Sequence, residues 1–104
     1  QVIELDNGQL KSFEISPQSF GLQSHTIEAI KGGLPAENAQ MVRCILKGDA
    51  PQAHLDAVIA NTASLVLLSG QAQSTEEAAG MVAKSLETGC AIDTLDAFVE
   101  TSNA

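Results

Sequence analysis

The chain has 104 residues, enough for one small domain that buries only about 60 to 70% of the surface its unfolded form exposes. Thirteen acidic residues against five basic ones give a formal net charge of -8. The cations Lys11, Lys31, Arg43, Lys47 and Lys84 are scattered, so the basic footprint that nucleic acid or an anionic lipid surface needs is missing.

Apolar residues make up 44% of the chain, but only three are Phe and none is Trp or Tyr. Ala, Leu, Val and Ile must then fill the core, which favours closely packed helices. Cys44 and Cys90 lie far apart without a C-x-x-C spacing, and no signal peptide or twin-Arg run is visible, so a reducing cytoplasm is the expectation. The apolar stretch Ala57 to Ser69 falls short of the roughly 20 residues that span a bilayer and reads as a buried helix.

The chain opens at Gln1, not Met, and is already inside an alternating pattern, as expected of a piece of a longer protein. Val2-Ile3-Glu4-Leu5 and Leu10 to Ile15 flank Asp6-Asn7-Gly8, and Asn-Gly supplies the two positive-φ residues of a type I′ hairpin. A two-residue loop sets Glu4 opposite Lys11 and Val2 opposite Phe13, with Ile3, Leu5 and Leu10 on the other face. A lone hairpin is marginally stable, so this one, over about residues 1–16, is expected to be the edge of a larger sheet lying outside the chain.

From about residue 17 the pattern is helical to residue 104, with about five helices and no linker long enough to divide them. A short segment near Thr26 to Lys31 is expected to end at Gly32-Gly33, where glycine can adopt the left-handed conformation. Pro35 suits the first position of the next helix, Glu37 its first turn, and Met41, Val42, Ile45 and Leu46 its apolar stripe up to Gly48. After Pro51 a longer helix carries Leu55, Val58, Ile59, Thr62, Leu65 and Val66 on one side and further apolar residues on the others, so it is expected to be buried. If it is core, Leu65→Ala should cost roughly 2 to 5 kcal/mol. Gly70 ends this helix, Ser74-Thr75-Glu76-Glu77 reads as a capping box, and Gly89 separates the last two helices.

Candidate chemistry is sparse. Cys44 and His54 could act as nucleophile and base, but they sit on different helices without a third orienting group, and His25 falls in a loop. Asp93 and Asp96 have a spacing two metal-ligating carboxylates could use, although solvated helix surface is the expected explanation. Glu76 and Glu77 are accounted for by the cap. Gly32-Gly33 before a helix could cradle a phosphate, but Glu37 puts an anion in the same turn and no G-x-x-x-x-G-K or G-x-G-x-x-G accompanies the pair. Asn61 lies mid-helix among apolar residues, where an unpaired buried amide would cost on the order of 1 to 3 kcal/mol; it is expected to bond the backbone of a neighbouring segment or, alternatively, a substrate.

In order and spacing, Ser16-Pro17-Gln18-Ser19-Phe20-Gly21-Leu22, Gly32 to Asn38, Ala57 to Asn61 and Gly89-Cys90-Ala91 resemble the C-terminal third of the anthranilate phosphoribosyltransferases. Gln18 and Ser19 replace common acids, Leu34 stands where a capping residue is usual, and Thr62 follows Asn61 where Ala is common. The resemblance implies an α/β fragment from a nucleoside phosphorylase/phosphoribosyltransferase-like fold. It implies an enzyme that transfers phosphoribosyl from 5-phosphoribosyl 1-diphosphate to anthranilate, with magnesium, releasing pyrophosphate in tryptophan biosynthesis. The family's diphosphate loop, anthranilate contacts and Asp-Glu metal pair precede the matched part. No catalytic, cofactor-binding or metal residue is therefore carried onto this chain, and magnesium would be bound by residues outside it.

The implied partners are the remainder of the same enzyme and a second copy in a homodimer formed through an absent helical domain, with the fragment inactive alone. A free-standing acidic helical interaction module and a fragment of a related pyrimidine-nucleoside phosphorylase are the alternatives.

Overall fold

The computed structural model describes residues 1–104. Strands β1 (Val2–Asp6) and β2 (Gln9–Phe13) pair antiparallel with Glu4 opposite Lys11, Leu5 opposite Leu10 and Val2 opposite Phe13, the expected register. Asn7 at φ 49° and Gly8 at φ 79° supply the left-handed turn. Two 3₁₀ turns follow, Pro17–Phe20 and Ile27–Ile30, and then four helices: α1 (Pro35–Leu46), α2 (Gln52–Leu68), α3 (Thr75–Glu87) and α4 (Cys90–Ser102). The short segment expected near Thr26 to Lys31 is thus a 3₁₀ turn, and Pro17–Phe20 is a second one.

The core forms where α2 crosses α3. Phe20, Ile59, Ala63, Ala72, Ala78, Ala79, Val82 and Leu86 make one buried cluster, and half of it is alanine. Ala63 and Ala78 are wholly inaccessible, so the two helix backbones approach closely over methyl groups. All 12 buried residues lie between Phe20 and Ile92, which leaves the hairpin outside the core. On one hairpin face Ile3, Leu5 and Leu10 are 71%, 69% and 72% exposed. The Cα radius of gyration, 15.3 Å, exceeds the roughly 13 Å of a compact chain this long, because the hairpin projects.

The structure corrects the facing of α2. Ala53, Asp56, Ile59 and Ala63 point inward, whereas Leu65 and Leu68 are 65% and 79% exposed. A helix apolar on every side has no pattern to say which side meets the core, and here the small side chains win because they permit the close approach to α3. Leu65 therefore makes no core contribution within this chain, and Ile59 takes the place assigned to it.

The Gly32-Gly33 corner also differs from expectation. Neither glycine has a positive φ, and beyond the hairpin turn the left-handed positions are Gly21, Gly48, Gly70 and Gly89. Space is the constraint at Gly33, where a Cβ would run into the Glu37 carboxylate. That carboxylate accepts the Leu34 backbone N–H at 2.7 Å, while Asn38 Oδ1 accepts the Gly33 N–H at 2.8 Å. The start of α1 is thus capped from inside the helix although Leu34 offers no acceptor. At α3, Ser74 Oγ accepts the Glu77 N–H at 3.1 Å, and Glu77 reaches back one residue further than a capping box requires, to the Gln73 N–H at 2.8 Å.

Candidate functional site

One buried charge stands in the interior. Asp56 is 5% exposed and is the only charged side chain on α2. Its Oδ2 lies 2.7 Å from His25 Nε2 and its Oδ1 accepts from Gln52 Nε2 at 2.6 Å, one helical turn earlier on α2. The backbone of Gln23 also favours the charged form of this carboxyl. His25 and Gln23 belong to the segment between the two 3₁₀ turns, which is led off by Gly21 at φ 72°. The cluster therefore ties an otherwise exposed strap to the middle of the helical core.

Burial pushes the Asp56 carboxyl up, but hydrogen bonds from His25, Gln52 and Gln23, with the charge of His25, outweigh it and hold the group below the usual carboxylate range. A depressed carboxyl adds stability that is complete above the unfolded-state pKa of about 3.9 and is lost as pH falls through the folded value. The stability difference between the wild type and Asp56→Asn should accordingly shrink as pH falls from about 5 toward 2, as read by urea unfolding across that range.

Beside the cluster is a cavity of about 320 Å³, lined by Leu22, Ile27, Ile30, Ala53 and Ala57 together with the His25–Asp56 pair. Both Asp56 oxygens already have donors, so the pair's chemistry here is positional: it orients the imidazole and fixes the strap. Sequence reasoning passed over this site. His25 and Asp56 are 31 residues apart, and no local periodicity joins them. The available signal was a lone acid in an apolar helix, which must find donors or remain outside.

The residues singled out from the sequence are not brought together. Cys44 is a half-buried free thiol on α1, His54 sits in the first turn of α2, and the histidine that gains a carboxylate is the other one. Asp96 is held by Arg43 Nη1 at 2.8 Å, an exposed pair between α4 and α1 worth about 0–1 kcal/mol. Glu77 is engaged by the Gln73 amide and Glu37 by that of Leu34. Asn61 is exposed and not buried, and its Nδ2 donates to the Ala57 carbonyl of its own helix at 2.8 Å, not to the backbone of a neighbouring segment as expected, because an amide left in solvent needs no partner from another element. No three His, Cys, Asp or Glu side chains converge as metal ligands, so these residues do not fit a magnesium ion. No helix is long and apolar enough to cross a membrane.

A hairpin followed by helices, with no phosphate cradle and no converging acids, describes part of an α/β domain. The chain belongs to the glycosyl transferase family, a/b domain, whose model matches residues 1–92. Its similarity extends to individual relatives. It is 47% identical, over 99% of its length, to the anthranilate phosphoribosyltransferase of Colwellia psychrerythraea, of which it covers 28%. It is 40% identical to that of Parvibaculum lavamentivorans and 39% identical to that of Pseudoalteromonas translucida, over 98% of the chain and 30% and 29% of those proteins. The chain thus spans less than a third of the curated relatives it matches.

Proposed function

We propose that this chain is the C-terminal structural part of an anthranilate phosphoribosyltransferase. The whole protein transfers the phosphoribosyl group of 5-phosphoribosyl 1-diphosphate to the amine of anthranilate, giving N-(5-phosphoribosyl)anthranilate and pyrophosphate. The observation that carries this reading is identity near 40% or above along essentially the entire chain to three enzymes of that name. Magnesium, the diphosphate and anthranilate would be held by residues outside this chain; the homodimer contact and a cytoplasmic location belong to the same reading. Within the enzyme this part supplies packing: the hairpin extends the sheet, and the α2–α3 core with the His25–Asp56 tie holds the end of the domain.

The test is an assay of the longer protein with anthranilate, 5-phosphoribosyl 1-diphosphate and magnesium, following pyrophosphate release. Release that requires both organic substrates is the expected outcome, with none from the 104-residue chain alone. Phosphorolysis of pyrimidine nucleosides in place of this transfer would overturn the reading in favour of the nucleoside phosphorylases.

A further inference from the structure

The outer face of α2 does not suit water. Residues four and seven positions after Asn61 share its stripe, so Asn61, Leu65 and Leu68 form one line along the helix. Leu65 and Leu68 are 65% and 79% exposed, and the one charge on this 17-residue helix, Asp56, is on the buried side. The other helices do carry charges outward: Glu37 and Arg43 on α1, Glu76 and Lys84 on α3, Asp93 and Asp96 on α4. In a chain of net charge -8, a long helix with an uncharged, leucine-bearing outer face is built for a second apolar layer.

Asn61 refines what that layer must offer. One Nδ2–H is committed to the Ala57 carbonyl, which leaves the second N–H and the Oδ1 acceptor without a partner in this chain. Burial of the stripe would strand both unless the covering segment brought an N–H or O–H donor for Oδ1 and an acceptor for the remaining N–H. The length of polypeptide available to do so is large, since the relatives extend well beyond the 28 to 30% this chain covers.

We propose that the Asn61–Leu65–Leu68 face of α2 is an interface within the longer enzyme, covered by an apolar segment of the same polypeptide that lies outside this chain and donates one hydrogen bond to Asn61 Oδ1. The inference rests on the reading of the chain as part of a longer enzyme. It also gives Asn61 an assembly role in place of a substrate contact.

The experiment uses the full-length protein with Cys44 and Cys90 replaced by serine and Leu68→Cys introduced, treated with a maleimide. Labelling should be lost in the native protein and restored in urea. Labelling as fast in the native protein as in urea would overturn the proposal. Protection that vanishes on dilution would assign the face to a second copy and overturn it equally. Hydroxyl-radical footprinting of the unsubstituted protein reads Leu65 and Leu68 without depending on how the variant folds: suppressed oxidation of both supports the interface, and free oxidation rejects it. Pyrophosphate release, measured on the same preparation, reports separately on the enzyme assignment, so the failure of one is distinguishable from the failure of the other.

Discussion

Phe20→Ala is expected to lower the unfolding free energy by about 3–5 kcal/mol. Phe20 is 5% exposed and is the only aromatic ring in the core; Phe13 and Phe98 are 42% and 68% exposed. The ring fastens the Pro17–Phe20 turn to the cluster formed by α2 and α3. Four of its seven cluster companions are alanines, which have no rotamers with which to refill the space, so the cavity should persist and the loss should fall toward the upper end. A domain of this size has about 5–15 kcal/mol in total, and the variant should sit near the edge of folding. Urea unfolding followed by circular dichroism checks it. Phe98→Ala is the control, with an expected change within about 0.5 kcal/mol; equal losses for the two would show that Phe20 does not anchor the core.

Asp56→Ala carries the second largest expected effect, about 2–4 kcal/mol, because it removes the buried acceptor to which His25 and Gln52 bond. Asp56 is nearly sealed, but the His25 side chain is 23% exposed and can partly recover water, which holds the figure below that of a fully buried pair. A double-mutant cycle with His25→Ala isolates the pair. A coupling of about 1–2 kcal/mol is expected, since the two groups touch and share no other charged partner. Additive single effects would mean that the tie between strap and helix contributes nothing beyond packing. Hydrogen exchange adds a local readout: loss of either partner should accelerate exchange between Gln23 and Ile30 while α3 stays protected.

What could be read from the residues was the local chemistry. Asn7-Gly8 dictates its turn by backbone geometry alone, and the strand register follows from a period of two. Ser74 and Glu77 are a cap wherever they occur before an apolar run, and the helix boundaries at Gly48, Gly70 and Gly89 follow from the left-handed conformation. The facing of α2 could not be read, because a helix apolar on all sides gives no contrast and the choice of Ala63 over Leu65 is made by what α3 brings to the contact. The His25–Asp56 tie was hidden for a different reason. It joins a strap without periodicity to a helix far along the chain, and pairs of that kind arise only once the chain has folded. Gly32 and Gly33 form a corner without the left-handed conformation expected of them, and a Cβ at Gly33 would displace the Glu37 carboxylate from its capping position.

The alanine contact between α2 and α3 also bears on how the fold responds to temperature. Alanine loses no rotamer entropy on burial, so little conformational freedom is given up there, but each methyl also removes little apolar surface from water. The heat-capacity increment of unfolding scales with that surface. A core half made of alanine therefore gives a small increment for its length and a broad, shallow curve of stability against temperature, in which modest cooling and modest warming from the optimum each take away little.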